Sequence, residues 1–252
     1  MSPAHLALLL VAGVLAGTVN ALAGGGSLLL FPALLAVGLP PLAANVTNSV
    51  IQCPGYLGFA LGSRRELHGQ RGRLRSTAAA AGAGALVGSL LLLVLPATVF
   101  DAVVPALVAL ASVLLGIQPR LTRWIGEPEP EPGAPDRLVV LLPVVFLGAI
   151  YGGYFGGALS VILLAVLALT AHDDLRRLNA AKGVLALIIS VVSVVVFTIS
   201  APVDWLAVAL LAPTTLAGGF VGAKLARRLP AHVLRGAVVV LGLAVSIYLF
   251  AT

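Results

Sequence analysis

The sequence is short of charge. Only 10% of its 252 residues are Asp, Glu, Lys or Arg, against about 25% in a typical soluble domain. That deficit excludes a sizeable water-soluble domain. Acidic groups are the scarcer sign, nine against fifteen basic. Proton relays built on buried carboxylates therefore have few candidates: Glu66, Asp101 and Asp204 all fall at segment ends. One cysteine, Cys53, excludes an intrachain disulfide and reads as a small buried residue. No His/Cys/Asp cluster has metal-ligand spacing, no nucleophile elbow is present, and the glycine-rich stretch lacks the Lys-Ser/Thr of a phosphate loop. Enzyme chemistry, a resident metal and an organic cofactor are therefore not expected. Nor is nucleic acid: the net charge of +6 comes from arginines in short loops between apolar segments, as cytoplasmic loops carry them.

What the chain has instead is apolar surface. It is 60% hydrophobic, with mean hydropathy +1.11. This composition specifies an all-α polytopic membrane protein, in a plasma or bacterial inner membrane with its main basic loops cytoplasmic. Residues 1–22 lack a basic leader and read as a retained helix, not a signal peptide. About eight main membrane segments are expected: a broken one over 6–37, then 42–61, 77–95 and 98–117, a second broken one over 138–170, then 178–199, 205–225 and 233–250. Residues 118–137, with Glu127-Pro128-Glu129-Pro130-Glu131-Pro132, read as a solvated cytoplasmic linker. It divides a first transmembrane repeat, 1–117, from a second, 138–252.

The breaks are the organising feature. Gly24-Gly25-Gly26 interrupts the first segment and Gly152-Gly153-Tyr154-Phe155-Gly156-Gly157 the fifth. Each glycine costs a helix about 1 kcal/mol relative to alanine. The halves also repeat. A shift of about 131 residues sets Gly25 on Gly156, Gly26 on Gly157 and Asn48 on Asn179; a shift of about 134 sets Leu95-Pro96-Ala97 on Leu229-Pro230-Ala231. If each break is a re-entrant hairpin, the halves are inverted and all basic residues fall on or near one side, as the positive-inside rule favours. If each is a kink, the halves are parallel.

Polar groups inside such segments are candidates for a substrate site. Backbone N–H groups at Gly25, Gly26 and Ser27, and at Gly156 and Gly157, open the half-helices after the breaks, and helix N-termini suit anions. Asn45, Asn48 and Gln52 share one helical face. Lys182, one turn after Asn179, could neutralise an anion or could snorkel to the interface. Asn20, Tyr151 and Tyr154 flank the breaks. For the asparagines and glutamine, the competing role is to bond helices together.

Taken together, Gly17 to Pro32, with Ala23-Gly24-Gly25-Gly26-Ser27 leading to Phe31-Pro32, then Gly38-Leu39-Pro40 and Ala44-Asn45-Val46-Thr47-Asn48-Ser49, resemble the TauE/SafE family of membrane permeases. The resemblance implies a duplicated helical fold and secondary transport of sulfite, sulfonates and related anions. The second break lacks a proline matching Pro32. The expected function is a transporter, in the export direction, of small sulfur oxyanions by alternating access. An anion channel and a non-transporting membrane scaffold are the alternatives. Expected partners are the anion, membrane lipid and a coupling proton or sodium ion; the sequence leaves open a homo-oligomer.

Overall fold

The computed structural model describes residues 3–22, 24–125, 138–171, 173–225 and 231–251. Ten helices and no strand lie within them: α1 Pro3–Leu22, α2 Ser27–Ala36, α3 Pro41–Gly62, α4 Arg71–Val94, α5 Ala97–Ile125, α6 Leu138–Tyr154, α7 Leu159–Thr170, α8 Leu175–Ser200, α9 Trp205–Leu225 and α10 Ala231–Ala251. Four of the described helices, α4, α5, α8 and α9, contain stretches long and apolar enough to cross a membrane by themselves. Large apolar side chains such as Val139, Ile199, Val240 and Ile247 are exposed, as they are on a lipid-facing surface.

Three boundaries differ from the sequence expectation. Helix α5 continues to Ile125, so residues 118–125 are helical and not linker; residues 126–137 lie outside the described residues. Helix α4 begins at Arg71 and α8 at Leu175, so Arg71, Arg73, Arg75, Arg176 and Arg177 are helical and not loop residues. Hydropathy marks only the part of a helix that meets lipid, whereas arginine is a good helix former that extends it into water. Gly152 and Gly153 lie within α6. Gly153 is there for packing, since a Cβ on it would strike the Ala85 backbone.

At both breaks the chain reverses. Gly26 lies so close to α1 that a Cβ on it would run into the Ala16 carbonyl, although Ala16 is almost three turns back. In the second break Gly152 faces Leu159, and Gly148 faces Ile162, which is antiparallel pairing. Each reversal uses the same device. Gly24 and Gly156 have φ of +82° and +76°, and each donates its N–H to a carbonyl five residues back, Val19 at 2.9 Å and Tyr151 at 3.2 Å. Only glycine adopts that φ without strain. At about 1.5 Å per residue, the ten residues of α2 and twelve of α7 reach about halfway through a roughly 30 Å hydrocarbon core.

Helix α3 is the hub. It packs against α1, α2, α5, α8 and α9, and its polar residues Asn45, Asn48 and Gln52 are buried. It runs antiparallel to α8. Near its start, Thr47 Oγ1 accepts from the N–H of Asp204, just beyond the end of α8, at 2.9 Å. Past its end, the His68 carbonyl accepts from Arg177, in the first turn of α8, at 2.9 Å. There Asp173 takes both Arg73 at 3.0 Å and Arg177 at 2.7 Å, tying the first turns of α4 and α8 to the α7–α8 loop.

The long helices meet through glycine. Gly84 and Gly88 on α4 touch the backbone of Phe146 and Ile150 on α6; Gly218 and Gly222 on α9 touch that of Val14 and Thr18 on α1. Small residues allow this approach. Substituting Gly88→Ala or Gly222→Ala should each cost about 1–3 kcal/mol through overpacking, read as a lower melting temperature in detergent. Gly236→Ala, where a Cβ meets open space, should be neutral or stabilising by up to about 1 kcal/mol.

Candidate functional site

The two hairpin tips are held by side chains from neighbouring helices. Asn20, on the last turn of α1, is 4% exposed. Its Oδ1 accepts the Gly26 N–H at 2.9 Å, and its Nδ2 donates to Gln52 Oε1 on α3 at 2.6 Å. Gln52 Nε2 points on to Asn48 Oδ1 at 3.5 Å. One helical face thus carries a chain of amides from α3 to the first tip. The same face reaches the second tip: Asn45 Nδ2 donates to the Tyr154 carbonyl, the last of α6, at 3.0 Å. Helix α3 therefore bonds to both tips.

Between the tips and helices α3 and α8 lies a cavity of about 20 Å³. Its polar wall is Ser27, Ser49, Gln52, Tyr56, Ser190 and Ser193; Gly152, Phe155 and Gly156 close it from the second hairpin. Ser190 Oγ donates to the Ser49 carbonyl at 3.3 Å, and Ser193 pairs with Ser89 at 2.9 Å. The wall is rich in hydroxyls, with the Gln52 amide, and among the described residues it holds no ionised group. Three buried atoms on the surrounding elements have no hydrogen-bond partner among the described residues: Asn45 Oδ1, Tyr151 Oη and Ser160 Oγ. Buried polar atoms left in this way are rare in folded proteins.

Lys182 is 2% exposed. It sits one turn before Ala186 of the cavity wall, toward the end of the molecule where Arg73, Asp173 and Arg177 meet. Its Nζ lies 5.4 Å from the Phe59 ring centroid, and no carboxylate among the described residues pairs with it. It is not snorkelling to solvent.

The sequence-derived candidates divide accordingly. Ser27, Gln52 and Gly156 line the cavity. Asn20 and Asn48 stand one bond behind it, and Asn45 holds the second tip. Gly25 packs against Leu115, and Gly157 against Phe155 and Ala111. The expectation of free backbone donors fails at two positions. Gly26 N–H is taken by Asn20 and Gly156 N–H by Tyr151, because a reversal inside apolar surroundings must satisfy its own backbone. The rings of Tyr151 and Tyr154 pack on Phe155 and Phe100. Asn179 is half-buried, makes no side-chain hydrogen bond among the described residues and does not line the cavity. Sequence reasoning missed Ser49, Tyr56, Ser190 and Ser193. Their signal was spacing: Tyr56 is one turn beyond Gln52, and Ser190 and Ser193 share a face with Ala186.

The family model described as "Sulfite exporter TauE/SafE" matches residues 9–249. The chain belongs to the TauE/SafE family. Curated relatives agree. A probable membrane transporter protein, ORF9, of a Sinorhizobium species is 28% identical over 98% of this chain and 92% of its own length. The probable membrane transporter protein YfcA of Escherichia coli K12 is 27% identical over 91% of this chain and 82% of its own length. A probable membrane transporter protein of Haemophilus influenzae is 27% identical over 87% and 84%. No solved structure matches the chain. This TauE/SafE protein is therefore a multi-pass membrane transporter.

The amide chain supplies the test of the first tip. Asn20→Ala strands the Gly26 N–H and one Gln52 oxygen in a buried setting, so a loss of about 1–3 kcal/mol is expected, measured as thermal unfolding in detergent. Asn179→Ala should change stability by less than about 0.5 kcal/mol.

Proposed function

We propose that the protein is a secondary transporter that exports small sulfur oxyanions, such as sulfite or organosulfonates, by alternating access of two inverted halves. The observation that carries this reading is the polar cavity where both hairpin tips meet α3 and α8. Half of its twelve lining residues fall into pairs related by exchange of the halves. The reversing glycines, Gly24 and Gly156, and the helix starts after them are offset by 132 residues, which pairs Ser27 with Leu159. The starts of α3 and α8 are offset by 134, which pairs Gln52 with Ala186 and Tyr56 with Ser190. In this register Asn45 pairs with Asn179 and Asn48 with Lys182, in place of the Asn48–Asn179 pairing expected from sequence. Packing between helices supports the same exchange: α4 on α6 answers α9 on α1, and α5 on α7 answers α10 on α2.

A site on such an axis is what an inverted-repeat carrier requires, because rocking one half against the other opens it to either side in turn. At about 20 Å³ the cavity fits one water-sized group. An oxyanion of four or more heavy atoms enters only when the halves part, so this conformation is read as the closed one. The hydroxyls of Ser27, Ser49, Tyr56, Ser190 and Ser193 and the Gln52 amide donate to oxyanion oxygens without a permanent charge. Lys182, one turn away, supplies the positive charge on the path to the basic face, which the positive-inside rule assigns to the cytoplasm. The family's name, sulfite exporter, supports the substrate class. A proton or sodium gradient is the proposed drive.

Labelled-sulfite counterflow in proteoliposomes tests the reading. Sulfite on the far side should accelerate exchange. Unitary voltage-driven currents would mark a channel, and absence of flux for sulfite and simple sulfonates would leave only the scaffold. In the same assay Lys182→Ala should raise the half-saturating sulfite concentration at least about tenfold, equivalent to about 1.4 kcal/mol, with Lys182→Arg restoring part of it. Unchanged saturation in both would remove Lys182 from the site.

A further inference from the structure

A second polar feature lies apart from the transport cavity. The C-terminal ends of α3 and α9 pack closely, with Gly62 against Ala223 and the Phe220 backbone. Around this junction opens a pocket of about 710 Å³. Arg64 and Arg65, on the α3–α4 loop, and Lys224, in the last turn of α9, form its rim, and all three are exposed. Leu61 and Phe220 form an apolar wall, and Leu61 is 52% exposed. Among the described residues, Glu66 is the one acidic residue lining it.

Among the described residues no carboxylate pairs with Arg64, Arg65 or Lys224, whereas nearby Asp173 takes Arg73 and Arg177. Lys224 Nζ lies 4.1 Å from the Phe220 ring centroid, a cation–π contact that keeps the ammonium on the pocket wall. Three like charges around one opening repel one another, and an anion between them relieves that repulsion.

We propose that this pocket seats the phosphodiester headgroup of an anionic phospholipid from the leaflet on the basic face. Membrane position selects a lipid over a soluble phosphate. The apolar span of α9 ends at Lys224, so the rim lies at headgroup level. The exposed Leu61 and the Phe220 ring below it offer an acyl chain a surface continuous with the bilayer. Basic pockets between helix ends at this depth recognise anionic headgroups. The site is independent of the transported substrate. Its place on the α3–α9 junction lets bound lipid brace a contact between the two proposed halves.

Native mass spectrometry of the full-length protein in neutral detergent tests the assignment, by titration with phosphatidylglycerol, phosphatidylcholine and soluble glycerol 3-phosphate. Phosphatidylglycerol should bind at least tenfold more tightly than phosphatidylcholine. Arg64→Ala/Arg65→Ala should abolish that preference, whereas Arg120→Ala/Arg123→Ala, at the end of α5, should keep it. Glu66→Gln should strengthen it. If the double variant does not fold, Lys224→Gln replaces it and should weaken the preference at least threefold. Equal binding of the two lipids, or a preference that survives the substitutions at Arg64, Arg65 and Lys224, would overturn the proposal. Glycerol 3-phosphate binding as tightly as phosphatidylglycerol would overturn the lipid and assign the pocket to a soluble phosphate.

Discussion

A polypeptide that reverses direction among apolar helices must satisfy its own backbone there, because neither lipid nor apolar side chains can. Asn20 meets that demand at the first reversal. One side-chain amide accepts the Gly26 N–H and donates to Gln52, so the tip of the first hairpin is fastened to α3. Asn45 fastens the second tip to the same helix through the Tyr154 carbonyl. The position of α2 and α7, the closure of the cavity between them and the burial of a polar helix at the centre of the molecule all depend on these few bonds. They also explain why α3 carries amides where its neighbours carry leucine and valine.

The two halves use one plan with different chemistry. Both reverse at a left-handed glycine bonded five residues back. The first half then spends an asparagine on its tip, while the second puts Gly152 at the equivalent place and borrows Asn45 from the first. At the starts of α3 and α8 the pattern diverges again, with Asn48 in one and Lys182 in the other. The two tips thus share a backbone device and differ in the side chains that hold them.

Charge is arranged as sparingly as the composition requires. Asp173 gathers two arginines and links the first turns of α4 and α8. Asp204, just before α9, caps the next turn by accepting the Ala207 N–H and bonds to Thr47 through its own N–H. The first contact joins the starts of α4 and α8, and the second joins the end of α8 to the first half of α3.

The helical class, the two glycine breaks and the polar face of Asn45, Asn48 and Gln52 were determined by the sequence alone, because each is local: an apolar run, a residue with special φ, a spacing of one helical turn. Tertiary structure alone decided that the breaks reverse the chain and do not kink it, since that depends on Gly26 meeting Ala16 and Gly148 meeting Ile162. It also decided which polar groups hold the fold and which face the cavity. Gly26 N–H was expected to be free for an anion and is bound to Asn20. Asn179 matched Asn48 in the sequence register and stands aside, while Lys182 takes the equivalent place. The hydroxyls of Tyr56, Ser190 and Ser193 gained meaning only once α3 and α8 were laid antiparallel. Residues more than a hundred positions apart meet there, and no local pattern carries that register.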